Sequence, residues 1–375
     1  MSSKDGKMAV ALVGGGTIAP LHAEYLLSSP TCSLVAIIDP FLPGKELAFK
    51  LSVLHFDSIE NLRDSCSTTP EAYIICVPSN LHISVAQELL NTMSPKAILI
   101  EKPFCTDSKS GESFLRTAKS KKCTILVGHH RRFHPSLVRA RQVINSGQIG
   151  KITAISGSWT VKKNDGYYTF AEWRGSRSAG GGPIWTNFVH DIDVLHYLTG
   201  SNVIRVWATG TISHRSHPGI PKDDKVEEGA AIMLQFANGI VGTFIVSDNV
   251  ESPFGWEAAT GDNPLYPPAP VKIDCYRIFG THGTLTEPDG AIWQYNERDA
   301  KELKKEIGWN VAIRREQLSL SDQIPFKQQI ENLSRVTRGL EEAHCSGDDG
   351  LNAVRVCEAV VKALKLGDGL PIELH

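Results

Sequence analysis

Two stretches in the first third of the chain place anion-binding or reactive groups at the ends of apolar runs. The run Met8–Val13 enters Gly14-Gly15-Gly16-Thr17-Ile18-Ala19, a G-x-G-x-x-A pattern. In that pattern Gly14 makes the tight turn, Gly16 lets the backbone approach a pyrophosphate, and Ala19 is small enough for close helix–strand packing. The amides at the start of the following helix, around Thr17 and Ile18, then face the anion. A second apolar run ends in Asp39, 20 residues past Ala19, where a carboxylate can bond both hydroxyls of a ribose. The same carboxylate repels a 2′-phosphate, and no Lys or Arg follows before Lys45, so the pattern favours NAD over NADP. A glycine-rich turn in a nucleotide-free domain is the alternative; the sequence of strand, turn, helix and acid-terminated strand argues against it. Glu101-Lys102-Pro103 closes the run Ala97–Ile100. In an open parallel sheet the strand C-termini line the ligand crevice. A lysine there, held on a short turn by Pro103, can reach a substrate hydroxyl, and partial desolvation brings its amine toward a range useful for proton transfer. A surface lysine on a turn explains the position equally well.

The elements that must position these residues follow from periodicity. Buried-strand runs at Met8–Val13, Ser33–Ile38, Ala72–Val77, Ala97–Ile100 and Thr124–Val127 alternate with helical patterns at Ile18–Leu27, Lys45–Leu51, Asn80–Leu90 and Ser108–Lys119. Asn80 is the expected N-cap of its helix. Strands apolar on both faces that alternate with helices predict a doubly wound parallel sheet, a Rossmann-type α/β domain over residues 1–128. The style then changes. A helix at Ser136–Ser146 ends at Gly147, and longer, more alternating runs follow at Ile152–Val161, Val203–Ile212, Ala230–Phe236, Gly239–Ser247 and Lys272–Phe279. Turn pairs Asn238-Gly239 and His282-Gly283 separate some of them. This predicts an α+β domain over residues 129–375 with a large, mostly antiparallel open sheet. Helices at His190–Leu198, Phe326–Arg338 and Leu351–Leu366 are expected to cover it, the last also packing back on the N-terminal domain. Residues 251–270 form a proline-rich loop, long enough to suggest a function.

Composition excludes several classes. With 39 basic and 41 acidic residues and no basic block, neither nucleic acid nor an anionic membrane is an expected partner. Eight scattered cysteines without a C-x-x-C pair predict buried thiols in a reducing compartment. No apolar leader and no membrane span are present in the sequence, so the cytoplasm is the expected location. His129, His130 and His134 invite a metal, but no Cys or Glu completes a ligand set at the usual spacing, and none is expected.

At this point the chain resembles the Gfo/Idh/MocA family, the glucose–fructose oxidoreductase and inositol dehydrogenase group. The resemblance spans nearly the whole chain. It rests on Gly14–Ala19 with His22 one turn on, on Glu101-Lys102-Pro103-Phe104, and on Gly128-His129-His130-Arg131-Arg132-Phe133. It continues through Gly180-Gly181-Gly182 to His190 with Asp193, and through Asp349-Gly350-Leu351. It implies hydride transfer between a carbinol carbon and nicotinamide C4, with Lys102 and His190 serving the hydroxyl proton. It also implies a substrate carried by the C-terminal open sheet and pairing through that sheet, as a homodimer or homotetramer. Cofactor contacts are then expected from Gly14, Gly16, Thr17, Ile18 and Asp39, from Pro78, Asn80 and His82, and from Glu101 and Lys102. Substrate contacts are expected from Lys102, Arg132, Trp173, Arg174, Thr186, Asn187, His190 and Trp256. A structural salt bridge by Arg174, or a Trp256 packed beneath its own loop, fits those residues equally well.

One departure matters. Many relatives have an aspartate four residues before the histidine, where this chain has Thr186 followed by Asn187. Neither can act as a carboxylate base. Asp191 at the helix start reads as a solvated acid, while Asp193 can share a helical face with His190. The leading expectation is a dehydrogenase or reductase of a sugar, cyclic polyol or related small polar ring compound. Two alternatives stay open: a reductase or dehydrogenase of a dihydrodiol, imine or unsaturated ring, and a non-catalytic NAD(H)-binding sensor.

Overall fold

The computed structural model describes residues 6–374 apart from 217–218 and 264–265. The chain divides into two compact units. One comprises the chain up to Phe133 together with Gln323–Arg355; the other comprises His134–Asp322 together with the chain from Val356. The first boundary lies five residues past the expected one, and a second crossing returns residues 323–355 to the first unit.

The first unit starts as an alternation: β1 (Met8–Val13), α1 (Ala19–Ser28), β2 (Cys32–Ile38), α2 (Leu42–Leu51), β3 (Leu54–Phe56), α3 (Ile59–Ser65), β4 (Ala72–Ile75), α4 (His82–Thr92), β5 (Ala97–Ile100), α5 (Ser108–Ser120) and β6 (Thr124–Val127). The six strands form one sheet in the order β3-β2-β1-β4-β5-β6. Every pairing is parallel, so all strand C-termini open along one edge. Every residue of β1, β4 and β5 is buried, as their unbroken apolar composition requires when helices cover both faces. The expected strands and helices are present within a few residues. β3 and α3 were not anticipated, because β3 is a three-residue edge strand too short to carry a period. Asn80 does not cap α4: it sits in a 3-10 turn, Ser79–Leu81, and the N-cap position falls on Leu81 without a side-chain bond.

The second unit continues with α6 (Pro135–Asn145), β7 (Ile152–Thr160), α7 (Asp165–Phe170), α8 (Val189–Thr199), β8 (Val203–Gly210), β9 (Gly229–Phe236), β10 (Val241–Ser247), α9 (Trp256–Thr260), β11 (Tyr276–Gly280), β12 (Gly283–Glu287), β13 (Ala291–Tyr295), α10 (Glu297–Glu302) and β14 (Ile313–Gln317). After α11 (Pro325–Thr337), α12 (Gly347–Leu366) crosses from the first unit to the second, and β15 (Ile372–Glu373) closes the chain. Nine strands form the order β14-β13-β12-β11-β7-β10-β9-β8-β15. All pairings are antiparallel except β7 with β10. Asn238-Gly239 makes the β9–β10 hairpin, with Gly239 at φ 88°. The expected strand Lys272–Phe279 begins only at Tyr276. β12 to β15 escaped prediction; β14, Ile-Arg-Arg-Glu-Gln, is exposed throughout and carries no alternating face.

The helix at 325–337 was expected on the second sheet. It belongs instead to the first unit, where Ile330, Leu333 and Val336 join the core made by β1, β2 and α1. Periodicity gives a helix an apolar face but does not name what that face meets. α8 is buried on nearly every side, consistent with a central helix, and stops at Gly200 in the left-handed conformation.

Glu287 is a fully buried acid on β12. Burial pushes its carboxyl well above the ordinary range, against the pull of the Ser136 hydroxyl. Above the unfolded glutamate range the unfolded chain releases this proton while the folded chain holds it, so stability falls as pH rises, by up to about 1.4 kcal/mol per pH unit. Glu287→Gln removes that dependence. Its thermal midpoint relative to the parent is predicted to improve steadily from pH 5 to pH 8; an offset independent of pH contradicts the assignment.

Candidate functional site

In the first unit, the turn after β1 is fixed by backbone geometry. Gly14 adopts φ 93°, and a Cβ there would stand 2.8 Å from the carbonyl carbon of Cys76 at the end of β4. Only glycine meets both conditions. Gly16 is different: a Cβ there would meet nothing closer than the Cys76 oxygen at 3.8 Å. The fold itself does not require glycine at 16, and the space above it is open to a ligand. Gly16 and Thr17 are exposed, and their amides take no acceptor among the described residues. α1 then begins with no acidic residue in its first turn, so nothing there repels an anion.

Asp39 stands at the end of β2, one strand away. Its Oδ2 accepts from the Gly15 amide at 2.7 Å and its Oδ1 from the Phe41 amide at 2.9 Å. Each oxygen keeps a lone pair, and the carboxylate is held in a fixed orientation beside the glycine turn. An open glycine cradle at a helix start with an oriented carboxylate beside it fits a dinucleotide whose ribose is bonded at both hydroxyls.

The Glu101-Lys102 turn leaves β5 two strands from β1. Glu101 is buried, its Oε1 accepting from His22 Nε2 of α1 at 2.7 Å and its Oε2 from the Lys102 amide at 3.1 Å. A Cβ on Gly128, after β6, would meet the same carboxyl at 2.9 Å, so glycine there makes room for it. Burial by itself would raise this carboxyl; the His22 bond and the charges of His22, Lys102 and His130 outweigh that and hold it at about 2. Lys102 is half-buried, and its bond to Pro103 is cis. His82 lies underneath, 1% exposed, with Nδ1 2.8 Å from the Pro103 carbonyl and Nε2 3.0 Å from that of Val77. Burial pushes its imidazole below the usual range. His82 therefore ties the β4 and β5 turns together rather than facing the crevice, whereas Pro78 and Asn80 beside it are exposed. Arg132 is also buried, donating to the His344 carbonyl at 2.9 Å and pairing with Asp349 of α12 at 3.1 Å. Asp349 completes a capping box with Ser346, so Arg132 anchors a helix start.

The second unit holds a separate polar cluster. Gly182 leads into a wide helical turn, Ile184–Phe188, that runs directly into α8. Thr186 and Asn187 lie four and three residues before His190, on the same side of this continuous helix. Lys163, just past β7, is buried and donates to Asn187 Oδ1 at 2.8 Å, with Thr186 Oγ1 at 3.4 Å and Asp248 Oδ2 at 3.8 Å. Asp248 is bound by Arg215 at 2.5 Å and by the Tyr168 hydroxyl. Close by in the chain fold, Glu227 accepts from the Ile184 amide, and burial lifts its carboxyl to about 7. Arg174 stacks 4.0 Å from the Tyr167 ring and donates to the Tyr167 carbonyl, while Trp173 is exposed. Trp256, an expected substrate contact for which packing beneath its own loop was the alternative, is fully buried; it packs on His134 and Tyr276 and donates to Asp262. Tyr276 in turn donates to Asp191 at 2.5 Å, so Asp191 is a buried acid and not a solvated one.

The structure thus gathers Gly14, Gly16, Thr17, Ile18, Asp39, Pro78, Asn80, Glu101 and Lys102 along one edge of the parallel sheet, and Thr186, Asn187 and His190 along one helix. Sequence reasoning missed Lys163, Tyr168, Arg215 and Asp248, which lie up to 85 residues apart and share no pattern. The available signal was the charged pair Lys162-Lys163 at the end of an apolar strand. Among the described residues no group of His, Cys, Asp and Glu is placed to hold a metal, and no helix is long and apolar enough to cross a membrane.

Comparison with known proteins agrees with this division. Residues 8–129 match an oxidoreductase family described as having an NAD-binding Rossmann fold, and residues 137–286 match the GFO/IDH/MocA C-terminal domain. Inositol 2-dehydrogenase of Rhizobium meliloti (strain 1021) is 25% identical over 365 residues, covering 94% of this chain and 96% of that protein. Levoglucosan dehydrogenase of Pseudarthrobacter phenanthrenivorans is 25% identical over 319 residues, covering 77% and 74%. The fold is shared with the WlbA dehydrogenase of Bordetella pertussis, solved with NADH and UDP-GlcNAcA: TM-score 0.74, 20% identity, 98% of this chain and 99% of that one.

The depressed Glu101 carboxyl makes a stability prediction. Folding favours its ionised form, so this contribution is complete above the unfolded glutamate range and is lost as pH falls toward 2. Glu101→Gln should cost on the order of 3 kcal/mol at pH 7, read from urea midpoints, and that deficit should shrink between pH 5 and pH 3. A deficit that persists unchanged at pH 3 contradicts the ion-pair account.

Proposed function

The chain belongs to the Gfo/Idh/MocA family of NAD-binding oxidoreductases, and from that premise we propose that it is a dehydrogenase or reductase acting on a hydroxyl-bearing carbon of a small sugar, cyclic polyol or related ring compound. The observation that carries this reading is Lys102, projected from the end of β5 on a turn pinned from below by Glu101 and His82. It stands on the same sheet edge as the open Gly16 turn and the oriented Asp39.

Gly14 to Ile18 and Asp39 are the residues that would hold the dinucleotide, and Asp39 selects NAD by excluding a 2′-phosphate. Bound there, the nicotinamide supplies or accepts the hydride. The protein's task is then positioning and proton transfer. Lys102 and His190 are the proposed acid–base pair at the substrate hydroxyl, and Thr186 and Asn187 its polar contacts. Arg174 serves as a support for the Tyr167 segment, and Trp173 as an exposed substrate contact. The inositol and levoglucosan dehydrogenases among the relatives support a cyclic polyol or sugar as the substrate class. The retained Lys102 and His190 disfavour a purely sensory role.

We also propose that two or four copies associate through the second sheet. On its outer face Met233, Val241 and Ile245 are 42%, 47% and 46% exposed on adjacent strands β9 and β10. An apolar patch on adjacent strands of an open sheet is stabilised by a partner.

Lys102→Ala is expected to lower kcat by roughly 10²- to 10⁴-fold on any substrate found by screening, while NADH affinity, read by fluorescence, stays within a few-fold of the parent. Unchanged turnover overturns the proposed role of Lys102.

A further inference from the structure

We propose that Glu227 is a positioning residue for the substrate: held against the Gly182–Ile184 turn, its carboxyl fixes the start of the helix that carries Thr186, Asn187 and His190. This rests on the reading that the 186–190 helix holds the substrate. Glu227 acts through that helix and not on the reacting atoms.

The path of the chain delivers Glu227 to this place. Residues 224–226 run beside 175–177: the Arg177 amide donates to the Asp224 carbonyl at 2.8 Å and the Val226 amide to that of Gly175 at 3.2 Å. The Gly182 amide donates back to the Arg174 carbonyl at 3.1 Å, so the glycine turn is tied to the same segment. The Glu227 side chain is 8% exposed. Gly182 has φ 86°, and a Cβ there would stand 2.8 Å from Glu227 Oε1, so glycine at 182 both makes the turn and admits the carboxyl. Pro183 occupies the N-cap position and makes no side-chain bond. The Ile184 amide donates to Glu227 Oε1 instead, at 3.4 Å. A helix start is stabilised by an acceptor for its first amides and by an acid beside them. Because this turn runs directly into α8, its position sets those of Thr186, Asn187 and His190.

The surroundings of this carboxyl make its hold depend on a proton. Arg177 Nη2 stands 3.8 Å from Glu227 Oε2, too far for a hydrogen bond. Burial raises the carboxyl to about 7, with Asp248 adding to the rise, against its own amide, Arg177 and the Ile184 amide. On α12 the facing group is Cys357, whose buried thiol is pushed well up and donates to the Ile184 carbonyl at 3.6 Å, so it brings no charge. The neighbouring Glu228 is turned away, onto the His214 and Arg215 amides. Closed around Glu227, the helix start keeps a proton that an opened one, with the carboxyl in water, releases in the ordinary glutamate range. Opening therefore becomes easier as pH rises toward 7 and changes little above it.

The test is hydrogen exchange of the full-length protein, read on peptides spanning 182–190 and corrected for the intrinsic rate, in the parent, Glu227→Gln and Glu227→Ala. Glutamine keeps an acceptor for the Ile184 amide and removes the titration. Protection of the parent relative to Glu227→Gln is expected to fall by about tenfold or more between pH 5 and pH 7 and to level off by pH 8. Glu227→Ala should lose protection there at every pH, while peptides from 8–19 exchange as in the parent and NADH affinity stays within a few-fold. On a substrate found by screening, Glu227→Ala should raise KM by roughly tenfold with kcat within a few-fold, and Glu227→Gln should restore most of the parent KM. A parent-to-Gln ratio that stays constant from pH 5 to pH 8, or unchanged protection in Glu227→Ala, overturns the inference. So does an unchanged KM in Glu227→Ala, which leaves the dehydrogenase reading standing. If no compound shows Lys102-dependent turnover, the dehydrogenase reading fails by itself, and the exchange comparison alone upholds or overturns the hold of Glu227 on the helix.

Discussion

A carboxylate removed from water must be bonded on nearly every side or give up its charge. Glu101 meets that requirement at the end of β5. It takes a proton donor from α1 through His22, another from the peptide of Lys102, and the empty side of Gly128 at the end of β6. Because the same helix α1 starts at the glycine turn, the position of Lys102 and the position of the open cradle at Gly16 are set by one buried ion. His82 adds a second tie, from the β4 turn to Pro103. The rest of the first unit's edge depends on these bonds: loosen them, and neither the lysine nor the anion-facing amides keep their place.

The second unit solves a related problem with more groups. Asp248 accepts from Tyr168 and Arg215 and faces Lys163, which in turn orients Asn187. Here the buried charges are arranged around a helix whose polar residues, Thr186, Asn187 and His190, follow one side. The two units therefore differ in the chemistry of the groups they gather. One gathers amides and an oriented carboxylate at a glycine turn, and the other gathers amide, ammonium and imidazole groups along a helix. The family to which the chain belongs uses the same two domains.

Much of this was legible in the residues. The unbroken apolar runs at Met8–Val13 and Ala97–Ile100 could only be strands covered on both sides, and the observed strands have those bounds. The glycine turn and Asp39 were readable because local backbone demands leave a local pattern. What could not be read was anything decided by distant contacts. α11 showed its apolar face but not that β1 and α1 would meet it. Arg132 looked available to a ligand because nothing in its neighbourhood reveals Asp349 as a partner. Lys163 was passed over since its significance comes from Asn187 and Asp248, 24 and 85 residues away. β14 was invisible because an exposed edge strand has no buried side to impose alternation.

The central claim is that the edge formed by Gly14, Gly16 and Asp39 binds NAD(H). The most direct measurement is a fluorescence titration of the purified protein with NADH and, separately, with NADPH, using the seven tryptophans as energy donors to the bound nicotinamide. The account predicts saturable quenching with NADH and binding of NADPH weaker by at least tenfold. Equal affinity, or a preference for NADPH, contradicts the role given to Asp39, and binding of neither by the folded protein contradicts the cofactor site altogether.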